Sequence, residues 1–271
     1  MVSGFHYSSL ITHSLCRGRN AFFRMKPLLL AIQFLTRLPT PQLSHLTPQD
    51  WGRSALAYPL VGLLIGALLA ALQLLLGQND PLLQAALLLS VWVLLTGGLH
   101  LDGLADTADA WVGGHGDRQR TLDIMKDPRS GPAAISAMFL VLLLKLAALA
   151  ALLKSSAWPV LLLAPMLGRA ALLALLLTTP YARAGGMGAA IAEHLPRKAT
   201  LTLLLLVLVG VGFMPEGWKA LLAVFLVVFL LRRAFLARLG GVTGDTLGAT
   251  VELTEVAVLL AFSINFVGIM P

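Results

Sequence analysis

Seven apolar runs of roughly membrane-spanning length divide this chain, and they leave it little alternative to a bundle of helices in a bilayer. A helix needs about 20 mainly apolar residues to cross a hydrocarbon core of about 30 Å. Runs bounded by charge, Pro or Gly occupy residues 55–76, 81–101, 133–153, 158–178, 199–214, 218–236 and 247–267, the fifth of them short. An eighth, Leu28 to Leu35, is too short to cross and is flanked by Lys26, Pro27, Arg37, Pro39 and Pro41. It predicts an interfacial or re-entrant helix. The expected fold is therefore all-α: a polytopic integral membrane protein with about seven transmembrane helices plus that short N-terminal element. Of 271 residues, 58% are hydrophobic and 12% charged, so no polar half is left over for a soluble domain on a single anchor. No internal repeat or low-complexity linker is visible, and residues 25–271 read as one membrane-embedded domain. Residues 1–24 carry Ser, His, Arg and the lone Cys16 without sustained periodicity or an adequate signal h-region. They read as an extension, disordered or upstream of a functional start at Met25. A single cysteine excludes an internal disulfide and a four-cysteine zinc site.

The formal net charge of +7 raises the question of nucleic acid, and the distribution of the charge answers it. With the N-terminus inside, Arg17, Arg19, Arg24, Lys26, Arg37 and Arg53 fall in the cytoplasm. So do Arg118, Arg120, Lys126 and Arg129 between the second and third spans, Arg183, Arg197 and Lys198 between the fourth and fifth, and Arg232, Arg233 and Arg238 between the sixth and seventh. Only Lys154 and Lys219 lie in outer turns, while Lys145 and Arg169 are within spans. Cytoplasmic loops collect Lys and Arg, so topology explains the charge and no nucleic-acid partner is needed.

The thirteen acidic residues carry the functional signal. Asp102, Asp106 and Asp109 stand at the cytoplasmic end of the second run, in His100-Leu-Asp-Gly-Leu-Ala-Asp-Thr-Ala-Asp109. On a helix, offsets of 0, 4 and 7 residues place the three carboxylates within an arc of roughly 60°. Carboxylates this close repel one another unless a cation lies between them. Their hard oxygen ligands suit magnesium, or manganese in its place, with water and phosphate oxygens completing the shell. One interfacial Asp is an ordinary solvated helix end; three at this spacing beside an apolar span predict a metal site. Gly103, Ala105 and Ala108 leave room for a ligand or a neighbouring helix. In the seventh run, Asp245 lies seven residues before Glu252, on the same helix face, with Glu255 just beyond. Asp245 is equally suited to cap the helix that follows, with Thr243 or Thr246 as alternatives. A carboxylate at the position of Glu252 costs on the order of 3 kcal/mol to insert, so it must face a polar cavity, pair or stay protonated.

Basic residues supply the complement. Lys126 and Arg129, in Met125-Lys-Asp-Pro-Arg-Ser-Gly131, follow the Asp trio in the same loop and have the makings of a phosphate clamp. Arg169, inside the fourth span, needs a partner or a wet cavity; a buried Glu such as Glu252 is the structural alternative. Tyr181, Arg183 and the turn Gly185-Gly-Met-Gly188 would extend an anion pocket. His100 is a candidate ligand or hydrogen-bond donor. Zinc does not fit, since His100 is the one imidazole near the acids and no thiolate is available. There is no P-loop, dinucleotide glycine motif, nucleophilic serine elbow or metalloprotease histidine pair. Carboxylates, Lys and Arg at a membrane boundary suit metal-assisted phosphoryl or nucleotidyl-alcohol transfer, without naming the substrate.

Several blocks of this sequence resemble the cobalamin synthase family, the adenosylcobinamide-GDP ribazoletransferases. They are Phe34-Leu-Thr-Arg37-Leu-Pro39, Tyr58-Pro-Leu-Val-Gly62 and Gly97-Gly-Leu-His100-Leu-Asp102-Gly-Leu-Ala-Asp106-Thr-Ala-Asp109, followed by Met125 to Gly131, Arg169, Tyr181-Ala-Arg183, and Gly244-Asp245-Thr-Leu-Gly248 with Glu252. They run in order from about residue 25 to the last span. The resemblance implies transfer of the cobinamide phosphate of adenosylcobinamide-GDP to the ribose hydroxyl of α-ribazole, or of its 5′-phosphate, with release of GMP. It also implies magnesium dependence and a bacterial inner-membrane location, with N-terminus and active site facing the cytoplasm. Carried onto this chain, Asp102, Asp106, Asp109 and Asp245 hold the metal, and Asp106 or Asp109 orients or deprotonates the hydroxyl. Glu252 completes the catalytic set, and His100, Lys126, Arg129, Arg169, Tyr181, Arg183 and Arg37 bind substrate. Other enzymes of nucleotide-loop assembly and a second copy of the chain are the protein partners to consider.

Two alternatives stand against this. A CDP-alcohol phosphotransferase of lipid synthesis uses a similar array of aspartates, but the Ala-Arg that follows that family's first Asp-Gly is missing here. A secondary transporter would use Glu252, Arg169 and Lys145 as an ion or proton path. No inverted repeat is visible, and the acids crowd the cytoplasmic edge.

Overall fold

A computed structural model describes residues 25–77, 79–154 and 159–264 of the chain. The N-terminal extension and the end of the seventh expected span lie outside the described residues. Helices follow one another as α1 (Met25–Leu35), α2 (Pro48–Ser54), which a 3-10 turn joins to α3 (Tyr58–Leu76), then α4 (Pro81–Thr96), α5 (Leu99–Gly113) and α6 (Arg118–Ile124). After these come α7 (Pro132–Lys154), α8 (Pro159–Thr178), α9 (Gly186–Glu193), α10 (Arg197–Gly212), α11 (Gly217–Leu239) and α12 (Gly244–Ser263). The all-α expectation holds among the described residues, where the one β-like feature is an isolated bridge between Tyr181 and Val242.

Five helical stretches are long and apolar enough to cross a membrane alone: Pro48–Leu76, α7, α8, α11 and α12. The count reaches seven when α4 with α5, and α9 with α10, are each taken as one bent pair. α1 is too short to cross, as the flanking charges and prolines predicted. Two expectations need correcting. The second run does not continue straight to residue 101: α4 stops at Thr96, and α5 leaves at 87° to it. Gly97 and Gly98 make that corner, with φ of 62° and 71°, a left-handed conformation that ends helices and that side chains resist. The three aspartates therefore ride on a helix that turns away from the spanning direction. In the same way α9 meets α10 at 89°, a helix that the glycine turn at 185–188 did not suggest.

α8 is the axis of the bundle and is buried without interruption from Leu163 to Leu173. α3 and α12 pack on it, and α5, α7 and α11 pack on α12. Outer faces of α10 and α11, such as Leu205, Leu206, Phe225 and Leu230, stay exposed, as lipid-facing residues do. The α3–α8 contact rests on Gly62 and Gly66, four residues apart, the small-residue spacing that lets membrane helices approach closely. A Cβ on Gly66 would lie 2.6 Å from the Leu162 Cα, and one on Gly62 the same distance from the Met166 Cα. Gly66→Leu should therefore destabilise the protein by about 1–3 kcal/mol, read as a lower midpoint of thermal unfolding in detergent.

Basic side chains tie helix ends together at the end of the bundle that carries α5. Arg232 donates to the Thr178 carbonyl at 3.0 Å and Arg197 to that of Leu177, covering the last carbonyls of α8. Arg118 Nε donates to the Leu239 carbonyl at 2.7 Å, and Arg238 reaches the Trp111 carbonyl at 2.8 Å while lying over its ring. The residues that signalled topology thus also satisfy exposed backbone carbonyls.

Candidate active site

The bridge between Tyr181 and Val242 brings the segment after α8 beside the start of α12. Ala182 N–H donates to the Val242 carbonyl at 2.8 Å, and Val242 N–H to that of Pro180 at 2.9 Å. This pairing sets Arg183 against Asp245, with Nη2 donating to Oδ2 at 3.0 Å. Asp245 is free for that contact because it is not the cap. Thr243 and Thr246 cap α12 reciprocally, the Thr243 hydroxyl accepting from Thr246 N–H at 3.3 Å and the Thr246 hydroxyl from Thr243 N–H at 2.8 Å. Of the two readings the sequence left open for Asp245, the cap falls to the two threonines.

α5 meets α12 where both are smallest. A Cβ on Gly103 would lie 2.8 Å from the Asp245 carbonyl oxygen and 3.2 Å from the Gly248 Cα. Of the two uses the sequence left open for Gly103, a ligand or a neighbouring helix, the helix takes the space, and the contact carries the α5 acids up to Asp245. The helix-face arithmetic holds for Asp102 and Asp106, while Asp109 turns to another task. Its carboxylate accepts from Gly131 N–H and from Ala134 N–H at 2.9 Å, capping the start of α7. Among the described residues no three acidic, His or Cys side chains are already close enough to hold a metal by themselves.

A cavity of about 290 Å³ opens at this junction. Asp102, Asp245, Arg183, Tyr181 and His100 line it, with the turn Gly185–Gly188. Asp106 stands one helical turn from Asp102, beside the same charges: burial, then the charges of Asp102 and Asp245, push its carboxyl up to about 6, with Arg183 working in the opposite direction. Asp106 lies on α5 beyond the corner, past the end of the apolar run at residue 101. Burial raises the Tyr181 phenol as well. Arg183 keeps a buried Nε–H that has no acceptor among the described residues. Two to three carboxylates against one guanidinium make a site short of positive charge, with one cationic donor unused.

Five other residues expected at the site are elsewhere, and these are corrections. Lys126 and Arg129 lie on the exposed loop before α7, Lys126 3.8 Å from Asp123 and Arg129 holding both oxygens of Asp127, whose carboxyl that contact lowers to about 2. Arg37 packs its side chain on Gly97 at the α4–α5 corner. Glu252 and Arg169 are withdrawn into the bundle. Lys145 Nζ lies 2.6 Å from Glu252 and 2.5 Å from Glu255, and 4.7 Å from the centre of the Trp92 ring; Arg169 pairs with Glu255. All four charged side chains are buried and their formal charges sum to zero. The partner that sequence reasoning missed is Glu255. Two cations and two anions inside the spans was the signal that could have paired them.

Comparison with known proteins identifies the family. Residues 27–263 match the family described as cobalamin-5-phosphate synthase. An adenosylcobinamide-GDP ribazoletransferase of Pseudomonas paraeruginosa is 59% identical over 246 residues, covering 89% of this chain and 98% of the relative. One from Stutzerimonas stutzeri is 57% identical over 244 residues (89% and 99%), and one from Pseudomonas fluorescens strain Pf-5 is 56% identical over 243 (89% and 100%). No solved structure matches the chain. An all-helical membrane bundle with its acids gathered at one end, and a family match across nearly the whole described chain, make this protein a member of the cobalamin-5-phosphate synthase family.

Proposed function

We propose that this chain moves the cobinamide phosphate of adenosylcobinamide-GDP onto the ribose hydroxyl of α-ribazole or its 5′-phosphate, releasing GMP, the activity its relatives' name describes. The hydroxyl oxygen attacks the phosphorus next to the corrinoid, the bond to the bridging diphosphate oxygen breaks, and the hydroxyl proton goes to a carboxylate. One observation carries the reading: Asp102 lines one cavity together with the Asp245–Arg183 pair, and Asp106 stands one turn along α5 beside the same charges.

The donor set fits magnesium, with manganese as an alternative. Mg²⁺ takes one or two carboxylates together with substrate phosphate oxygens and water, so a site lacking a complete protein cage is what it uses. Asp102 and Asp245 would hold it, and when bound it supplies neutralisation of the diphosphate charge. Arg183 holds a phosphate oxygen through its unused Nε–H. Asp106, raised toward neutrality, is placed to accept the proton of the ribose hydroxyl. Asp109 supports this indirectly, by fixing the start of α7 against α5. Lys126 and Arg129 have no part in the transfer step. The site lies at the end of the bundle where the arginines gather, so in a bacterial inner membrane it faces the cytoplasm.

The experiment is a choice of substrates for the purified protein in lipid. Adenosylcobinamide-GDP with α-ribazole should release GMP with no ion gradient, and CDP-alcohols should release no CMP. CMP release with no GMP would make the chain a lipid phosphotransferase.

A further inference from the structure

The cavity has two chemically different ends. Asp102 and the glycine turn at 185–186 are exposed, whereas Leu35, Tyr58, His100, Leu172, Leu176 and Ile191 are all buried. The buried end is apolar apart from the Tyr58 hydroxyl and His100. Phe34 and Tyr58 face one another there with ring centres 6.0 Å apart, tilted by 31°.

His100 is the exception that points to a ligand. Its Nδ1 lies 3.4 Å from Arg169 Nη2. An arginine only donates, so Nδ1 accepts and the proton resides on Nε2. Glu255 holds Arg169 in turn, and the imidazole is thereby fixed in that tautomer. Nε2 is buried and has no partner among the described residues. Buried donors are nearly always matched, and an unmatched one on a residue that lines a cavity calls for an acceptor on whatever fills the cavity.

We propose that this cavity is the acceptor-base pocket: it takes the flat bicyclic base of the nucleoside acceptor, with His100 Nε2–H donating to the unsubstituted ring nitrogen and the ribose lying toward Asp102 and Asp245. The inference rests on the transfer reaction proposed above. Size argues for it, since about 290 Å³ matches a nucleoside and is far too small for a corrinoid ring. Polarity separates the acceptor from the guanosine of the donor. A guanine edge has two donors and two acceptors to satisfy, and an apolar end offering only the His100 N–H and the Tyr58 hydroxyl would leave some of them bare. A dimethylbenzimidazole presents hydrocarbon everywhere except one ring nitrogen, which is an acceptor. The donor's diphosphate is then left to the open side of the carboxylates, and the two substrates approach the reacting phosphorus from opposite sides.

The full-length protein in lipid nanodiscs tests this by equilibrium binding of α-ribazole, and of an isosteric indole nucleoside in which the ring nitrogen is replaced by C–H, both without the corrinoid. Wild type should bind the benzimidazole nucleoside about three- to tenfold more tightly, the weight of one buried hydrogen bond. His100→Phe should remove that difference. Leu172→Trp, which fills the buried end, should weaken both nucleosides by about tenfold or more. It should also raise KM for α-ribazole while leaving KM for adenosylcobinamide-GDP within about twofold. Equal wild-type affinity for the two nucleosides would overturn the proposal, and that comparison needs no variant. A Leu172→Trp protein with KM raised for the corrinoid nucleotide and not for α-ribazole would overturn it too. Absence of GMP release by wild type would instead sink the reaction itself, since the binding measurements do not depend on turnover.

Discussion

Asp106→Asn should slow GMP release by about 10²- to 10⁴-fold, the usual worth of a positioned general base. An asparagine keeps the shape and removes only the ability to take a proton, so KM for either substrate should change far less than kcat. Asp102→Asn should also abolish turnover, through loss of a phosphate-side carboxylate. Neither change should harm the fold. Asp102, Asp106 and Asp245 repel one another, and removing one like charge relieves the others. Asp109→Ala should behave differently. It removes the cap of α7 and should lower stability by about 1–2 kcal/mol. Thermal unfolding of the three variants beside their rates separates the acids: two with loss of rate on an intact fold, one with a weakened fold. Near-normal kcat in Asp106→Asn would remove it from the chemistry.

The second large effect is on stability. Replacing Lys145 with Met leaves Glu252 and Glu255 facing one arginine inside the bundle, and breaking a buried pair in this way costs about 3–5 kcal/mol. Removing a partner charge as well should restore much of it: Lys145→Met with Glu252→Leu leaves Arg169 paired with Glu255 and the interior neutral again. The double variant should therefore unfold at a higher temperature than Lys145→Met alone, a coupling visible in a double-mutant cycle. Additive losses would mean that the four charges do not form one network. The closure of that network also answers the transport reading, because Glu252, Arg169 and Lys145 are already committed to one another and to Glu255.

Much of the bundle was legible because bilayer thickness imposes one length on every crossing helix, and runs such as 133–153 and 158–178 announce it. What apolar runs do not encode is direction. The corners at Gly97–Gly98 and between Glu193 and Arg197 are written in backbone conformation, so a helix lying across the spanning direction looked like the end of one. The aspartates at positions 102 and 106 were found by spacing alone, because neighbours on one helix need no knowledge of the fold. Asp109 has the same spacing but is claimed by the α7 N-terminus, 22 residues downstream, and that partner is set only by tertiary packing. Glu252 and Arg169 were recognised as needing partners without the partners being known. Phe34 and Tyr58 entered only through resemblance, since an aromatic in an apolar run carries no mark of facing a cavity. The blocks that contain Phe34, Tyr58, His100, Tyr181 and Asp245 are far apart in the chain, and all five line the same pocket.

The proposed transfer depends on Asp102 and its neighbouring carboxylates holding a divalent ion against a diphosphate. The direct measurement is GMP release from adenosylcobinamide-GDP and α-ribazole by the purified protein in lipid, before and after exhaustive chelation and again after magnesium is returned. Release should vanish on chelation and recover with magnesium, with manganese as a partial substitute. Undiminished release from metal-free protein would contradict it.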